Sequence, residues 1–258
     1  MQSFNDIPYA AVDDGVRLLD LHLPDDSAPT AAVVFFHGGG LEAGDRKADH
    51  DIFADATALG LAVASVEYRM YPGAKFPDYL EDAADAMAWV RANGPARGLP
   101  ARTIVAGVSA GAWMAMMLRF DERYLAQRGI DPDSVAGWVF DAGQPTSHFR
   151  VLKERGFDTR AVAVDDAAPL FFLREPRNPA PMLFVSAEFD IPGRLQQTRL
   201  FLETLRQYGY PEECRQFHFM AGFKHCEYCA KVAPNGRRVL ANTLADFAAS
   251  LRRNRPTA

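Results

Sequence analysis

Two glycine-framed stretches hold the residues of this chain that could do chemistry. The first is Gly107-Val108-Ser109-Ala110-Gly111, a G-x-S-x-G. An apolar run leads into it and a helix-forming run leads out. That is the setting of a tight strand-to-helix turn that pushes a serine Oγ into a cleft. The flanking glycines leave room there for neighbouring backbone. The second stretch is His37-Gly38-Gly39-Gly40, at the end of another apolar run. Glycine costs up to about 1 kcal/mol of conformational entropy relative to alanine, so something must require bare backbone. A tetrahedral acyl intermediate carries an oxyanion, and losing one N–H donor to it costs about 3–4 kcal/mol. Gly39 and Gly40 are the expected donors, joined by the N–H of Ala110 just after the serine. A phosphate loop would carry G-x-x-x-x-G-K-[ST] or G-x-G-x-x-G, and the chain has neither.

A serine nucleophile needs a base and an acid that orients the base. In this strand-turn-helix setting the chain order is serine, acid, histidine. Asp190 ends the run PMLFVSAEFD, at the carboxyl end of an expected strand, where open α/β sheets gather their ligands. Glu188, two residues earlier, and Asp141, at the end of the preceding strand, are its rivals. His225 lies in MAGFKHCEYC, after the last expected strand and before the last helix, where a base could swing back over Ser109. His37 precedes the serine and reads as a residue that orients the glycine loop. His148, in an irregular segment, and His218, within a strand, are weaker.

The elements that must position these groups are legible from periodicity. Residues 7–12 and 16–23 flank Asp13-Asp14-Gly15, a turn signal, and read as a hairpin. Short, continuously apolar runs follow at 32–36, 61–66, 103–108, 135–140 and 182–186, with a further strand at 215–219. Such runs suit parallel strands covered on both faces. Helical stretches alternate with them: DIFADATALG, PDYLEDAADAMAWVRANG, AGAWMAMMLRF, RLQQTRLFLETLRQYG and RRVLANTLADFAASLRR. Pro77 and Gly94 punctuate the second of these. The alternation implies an α/β fold with a mostly parallel sheet. Trp113 and the methionines near it fall at helical spacing and read as core. The least regular part, 141–181, is a lid-like connection or a long surface crossing with a short helix.

Composition limits the function classes. The chain has 258 residues, 48% of them hydrophobic, and a net charge of −5 without a basic run. That disfavours nucleic acid and anionic membranes as partners. No apolar leader or membrane span is visible, and three cysteines are no disulfide framework, so the expected location is cytoplasmic. Cys226 and Cys229 form a C-x-x-C beside His225. A zinc or redox site would want more partners, so free thiols are the default and no metal is expected.

Taken together, FFHGGG, VEYRMYPGAKFPDYLEDAADAMAWV, GVSAG, EFD and FKHCEY resemble the α/β-hydrolase serine esterases of the hormone-sensitive-lipase-like and bacterial carboxylesterase group. The resemblance runs from the first hairpin to the last helix. It implies one α/β-hydrolase domain over 1–258, with helices on both faces and a small cap or none. It also implies an acyl-enzyme mechanism without a cofactor, and Ser109, Asp190 and His225 as the triad. The expected substrate is a small-molecule carboxylic ester. Amidase, arylformamidase, sugar-deacetylase or small-peptidase activity would use the same residues, and a non-catalytic binding protein is a third class. Nothing in the sequence opposes a homo-oligomer. Leu41 stands where the group often has a bulky aromatic, Met70-Tyr71 where Leu-Ala is common, and Ile191-Pro192 follow the acid. These departures bear on the acyl pocket. Leu41, Phe149 and Phe223 are the expected substrate contacts, with Phe171 and Phe172 as further wall candidates.

Overall fold

The computed structural model describes residues 1–12 and 15–253. Eight strands form one sheet in the order β1-β2-β4-β3-β5-β6-β7-β8. β1 (Gln2–Val12) and β2 (Gly15–Leu23) pair antiparallel, and β2 then pairs antiparallel with β4 (Leu61–Val66). Asp13 and Asp14 of the expected turn lie outside the described residues. Every other pairing is parallel, through β3 (Ala31–Phe36), β5 (Thr103–Val108), β6 (Gly137–Asp141), β7 (Met182–Phe189) and β8 (Arg215–Lys224).

The central strands are mostly apolar because both faces are covered. In β3, Val34 and Phe36 enter one core with Trp113, Tyr79 and Phe201. Val33 and Phe35 enter the other with Ile52, Phe53, Leu244 and Phe247. The first face is built by α2 (Asp78–Asn93), α3 (Ala110–Phe120) and α6 (Arg194–Gln207), the second by α1 (His50–Ala58) and α7 (Val239–Arg253). Trp113, Met114, Met116 and Met117 are buried, as their spacing predicts.

Some boundaries differ from the sequence reading, for physical reasons. β6 starts at Gly137, not 135, because the preceding residues form a short 3-10 turn over Pro132–Ser134. β7 and β8 run on to Phe189 and Lys224, with solvent-facing residues that an apolar-run criterion misses. A short helix, α4 (Glu122–Ala126), follows α3; Asp121 caps it by accepting from the Arg123 N–H at 3.3 Å. Gly94 caps α2 in a right-handed conformation. Its small size answers a close approach, since a Cβ there would lie 2.4 Å from the Val90 carbonyl oxygen.

The segment 141–181 contains α5 (Phe149–Glu154) and packs against the body of the fold. Trp113 donates its indole N–H to the Ala167 carbonyl at 3.1 Å, and the Leu170 N–H reaches the Pro145 carbonyl at 2.9 Å. Among the described residues, no helix is long and apolar enough to cross a membrane.

Candidate active site

β5 ends at Val108 and α3 begins at Ala110, so Ser109 alone makes the bend. It has φ 54° and ψ −111°, a combination that residues with a Cβ rarely adopt. Two hydrogen bonds fix it. Its N–H donates to the Asp141 carbonyl at 2.7 Å, and its carbonyl accepts from the Trp113 N–H at 3.0 Å. Both motif glycines are required by crowding. A Cβ on Gly107 would lie 2.3 Å from the Gly111 carbonyl carbon, and one on Gly111 would lie 2.0 Å from the Phe36 carbonyl oxygen. The Gly111→Ala variant is therefore expected to lose at least about 3 kcal/mol of stability. Denaturant melts followed by circular dichroism check this, and an unchanged midpoint would refute the contact.

The His37-Gly38-Gly39-Gly40 loop lies beside the bend. A Cβ on Gly38 would be 3.5 Å from the Ser109 Cβ. Gly39 has φ 115° and no space, since a Cβ would sit 1.8 Å from the Ala43 carbonyl oxygen. Gly40, at φ 66°, faces the Phe149 ring, with Cζ 3.1 Å from where its Cβ would be. Among the described residues, no hydrogen bond takes the N–H of Gly39, Gly40 or Ala110. His37 frames this loop. Its Nδ1 lies 2.7 Å from the Gly38 carbonyl oxygen, and its ring stacks on Tyr68 at 4.3 Å. The Tyr68 hydroxyl donates to the His37 carbonyl at 2.8 Å. Next along the chain, Arg69 binds Asp82 of α2 at 2.8 Å. The Tyr-Arg-x-x-Pro segment thus props the glycine loop from below, a task its sequence did not disclose.

The third group arrives from the far end of the sheet. His225 follows β8, and its Nε2 lies 2.9 Å from the Ser109 Oγ across 116 positions of sequence. Its Nδ1 lies 2.5 Å from Oδ1 of Asp190, which also accepts the Ile191 N–H at 2.7 Å. The Asp190 side chain is 1% exposed and the His225 ring 24%. Burial alone would pull the imidazole pKa down. The hydrogen bond to Asp190 and the neighbouring Cys226 outweigh it, and the pKa is raised to about 9.

The rivals are accounted for elsewhere. Glu188 accepts the Gly222 N–H at 2.8 Å on the exposed end of β7. Asp141 is wholly buried and accepts from the Tyr228 hydroxyl and, at 3.5 Å, from the Cys229 thiol. Burial pushes its carboxyl well above the usual range. His148 caps α5 and packs on Trp113, with ring centroids 5.2 Å apart, while His218 is exposed on the edge strand.

Of the expected substrate contacts, Leu41 is wholly buried in the core. That corrects its assignment: its side chain supports the loop and presents no surface to a ligand. Its carbonyl accepts the Tyr71 N–H at 2.8 Å, which joins two of the three departures from the family pattern. Phe149 is half-buried against Gly40, and Phe223 packs edge-on to Tyr228 at 6.0 Å. Phe171 is exposed and Phe172 half-buried, their rings 5.1 Å apart. Sequence reasoning missed Arg194, which is buried behind the acid. It donates to the Ala142 carbonyl and, at 3.2 Å, to Oε1 of Gln144, fixing the strand end that holds the bend.

A family model described as BD-FAE matches residues 19–131. The esterase from Pyrobaculum calidifontis superposes over 98% of this chain and 85% of its own, with a TM-score of 0.72 and 24% identity. Esterase LipW from Mycobacterium marinum does so over 97% and 82%, at 0.75 and 20%. The chain has the α/β-hydrolase fold. Esterase LipC from Mycobacterium tuberculosis is 30% identical to this chain over 227 residues, 78% of this chain and 56% of LipC. The chain therefore spans only about half the length of that curated relative.

Proposed function

We propose that this α/β-hydrolase cleaves carboxylic esters of small acyl groups through a covalent acyl-enzyme. The reading is carried by one observation: the unbroken line from Ser109 Oγ through His225 to Asp190, with 2.9 and 2.5 Å links. The names of relatives such as LipC support the reaction class. In this scheme Ser109 attacks the ester carbonyl as His225 Nε2 takes its proton. Asp190 stabilises the imidazolium and holds the ring. The N–H groups of Gly39, Gly40 and Ala110 receive the oxyanion. His225 returns the proton to the leaving alkoxide, then deprotonates the water that releases the acid. Each of these steps uses the chain's own groups. Phe149, beside Gly40, and Phe223 are the proposed substrate contacts.

The test compares kcat/KM on matched pairs, p-nitrophenyl acetate and butyrate against the corresponding p-nitroanilides. Esters are expected to be preferred by at least about a hundredfold, since the amide leaving group is far poorer. A preference for the anilides would replace the esterase reading with an amidase.

The base must be unprotonated to act, so kcat/KM rises as pH rises through the His225 pKa. With the His225 pKa raised to about 9, the rise is expected above the ordinary histidine range. A rate profile from pH 5 to 10.5 checks this. A midpoint below about 7, the ordinary range of histidine, would mean that Asp190 and Cys226 do not support the imidazolium as described.

A further inference from the structure

The C-x-x-C has no task in the proposed reaction, yet it adjoins the base. Cys226 follows His225 directly and is only partly buried; Cys229 is buried. The Cys229 N–H donates to the Cys226 carbonyl at 3.1 Å, closing a four-residue turn. Such a turn holds its end Cα atoms within about 7 Å, and a disulfide spans about 4.4–6.8 Å. One carboxylate oxygen of Asp141 and both sulfur atoms all lie within 4.8 Å of one another. Rotation of the side chains, with little backbone movement, is then enough to join the sulfurs. Cys226 has φ 55°, an uncommon conformation for a residue with a Cβ, so the turn is imposed by its surroundings.

We propose that Cys226 and Cys229 form a reversible disulfide driven by hydroperoxides, and that its formation retunes His225. The sulfur chemistry stands by itself; the retuning rests on the hydrolase reading above. Cys226 is the attacking sulfur. The neighbouring Cys229 thiol lowers its pKa against the effect of burial, and His225 lowers it further, to about 6. The thiolate attacks one peroxide oxygen; an S–O bond forms and the O–O bond breaks, and the departing oxygen takes a proton to become water or an alcohol. Cys226 is now a sulfenic acid, oxidised by two electrons as the peroxide is reduced. Cys229 attacks that sulfur, the S–S bond forms, and hydroxide leaves with the Cys229 proton as water. A dithiol reductant restores both thiols by exchange.

The disulfide removes a negative charge beside His225. The imidazolium loses a support, so its proton leaves at lower pH. A neighbouring charge shifts a pKa by about 1–3 units. Even the low end raises kcat/KM about tenfold at pH values well below the midpoint. Oxidation therefore activates the hydrolase near neutral pH. A thiophilic cation is the competing occupant of the same three groups. Against it, both Asp141 oxygens already accept, from Tyr228 and from Cys229.

The experiment titrates the full chain with tert-butyl hydroperoxide. Free thiols are counted by a chromogenic exchange reagent, peptides are mapped by mass, and the pH profile is recorded before and after. The expected result is a fall from three free thiols to one, a 226–229 cross-linked peptide lighter by two hydrogen atoms, full recovery with dithiothreitol, and a midpoint displaced to lower pH. Cys214→Ala should behave as the parent. Cys229→Ala should form no cross-link, and Cys226→Ser supplies a second check if that variant folds poorly. Retention of all thiols, irreversible oxidation without a cross-link, or a stoichiometric zinc ion that protects the thiols would each overturn the proposal. So would a cross-link that leaves the midpoint in place. If Ser109→Ala turns over ester at the parent rate, it is the hydrolase reading that fails, and the thiol count still reports on the cysteines.

Discussion

Ser109→Ala lowers kcat toward p-nitrophenyl butyrate by about a million-fold, the scale on which removal of a serine nucleophile acts. Its Oγ makes one hydrogen bond, to His225, and the φ 54° bend is imposed by backbone partners that the variant keeps. The fold should therefore survive, and a thermal melt beside the parent separates lost chemistry from lost structure. Some catalysis over water should remain, about a thousandfold, because in the proposed scheme the glycine N–H groups still receive the oxyanion. A variant within tenfold of the parent would mean that another group attacks the ester.

Asp190→Asn is expected to cost about ten-thousandfold in kcat. The amide has nearly the shape of the carboxylate, so the 2.5 Å contact with His225 Nδ1 can persist. It cannot carry the charge that stabilises imidazolium, and it can present an N–H where an acceptor is needed, which selects the wrong tautomer. The informative control is Asp141→Asn. That carboxyl is buried, held toward its neutral form and bound to Tyr228 and Cys229, so the amide replaces it without removing a charge from the proposed reaction. Its kcat should stay within tenfold of the parent. If the control loses as much activity as Asp190→Asn, the acid has been misassigned.

The parallel strands were legible because burial on both faces leaves few polar positions: Ala-Val-Val-Phe-Phe of β3 can be read with no partner in view. The edges were not. β8 alternates half-buried with exposed residues, and its last third, which carries the chain toward His225, has no apolar signature. The serine and glycine motifs were legible because each obeys a local rule of spacing, whereas Asp190 and His225 were proposed from their order along the chain and from the family resemblance. Leu41 was misread because its position after the glycines suggested a pocket wall, while its positive φ turns the side chain into the core. Contacts between distant residues outside these motifs could not be read. The Tyr228 hydroxyl reaches Asp141 over 87 positions, and no local pattern marks either residue for the other.

One carbonyl joins the two halves of the site. The Phe36 oxygen stands against Gly111, while the chain continuing from Phe36 becomes the glycine loop. The proposed nucleophile and the proposed oxyanion cradle are thus seated on the same peptide, at the tip of a fully covered central strand. Heat cannot slacken one without dislodging the other. Inactivation should then track global melting, with no earlier stage in which a folded molecule has merely gone slack at its centre.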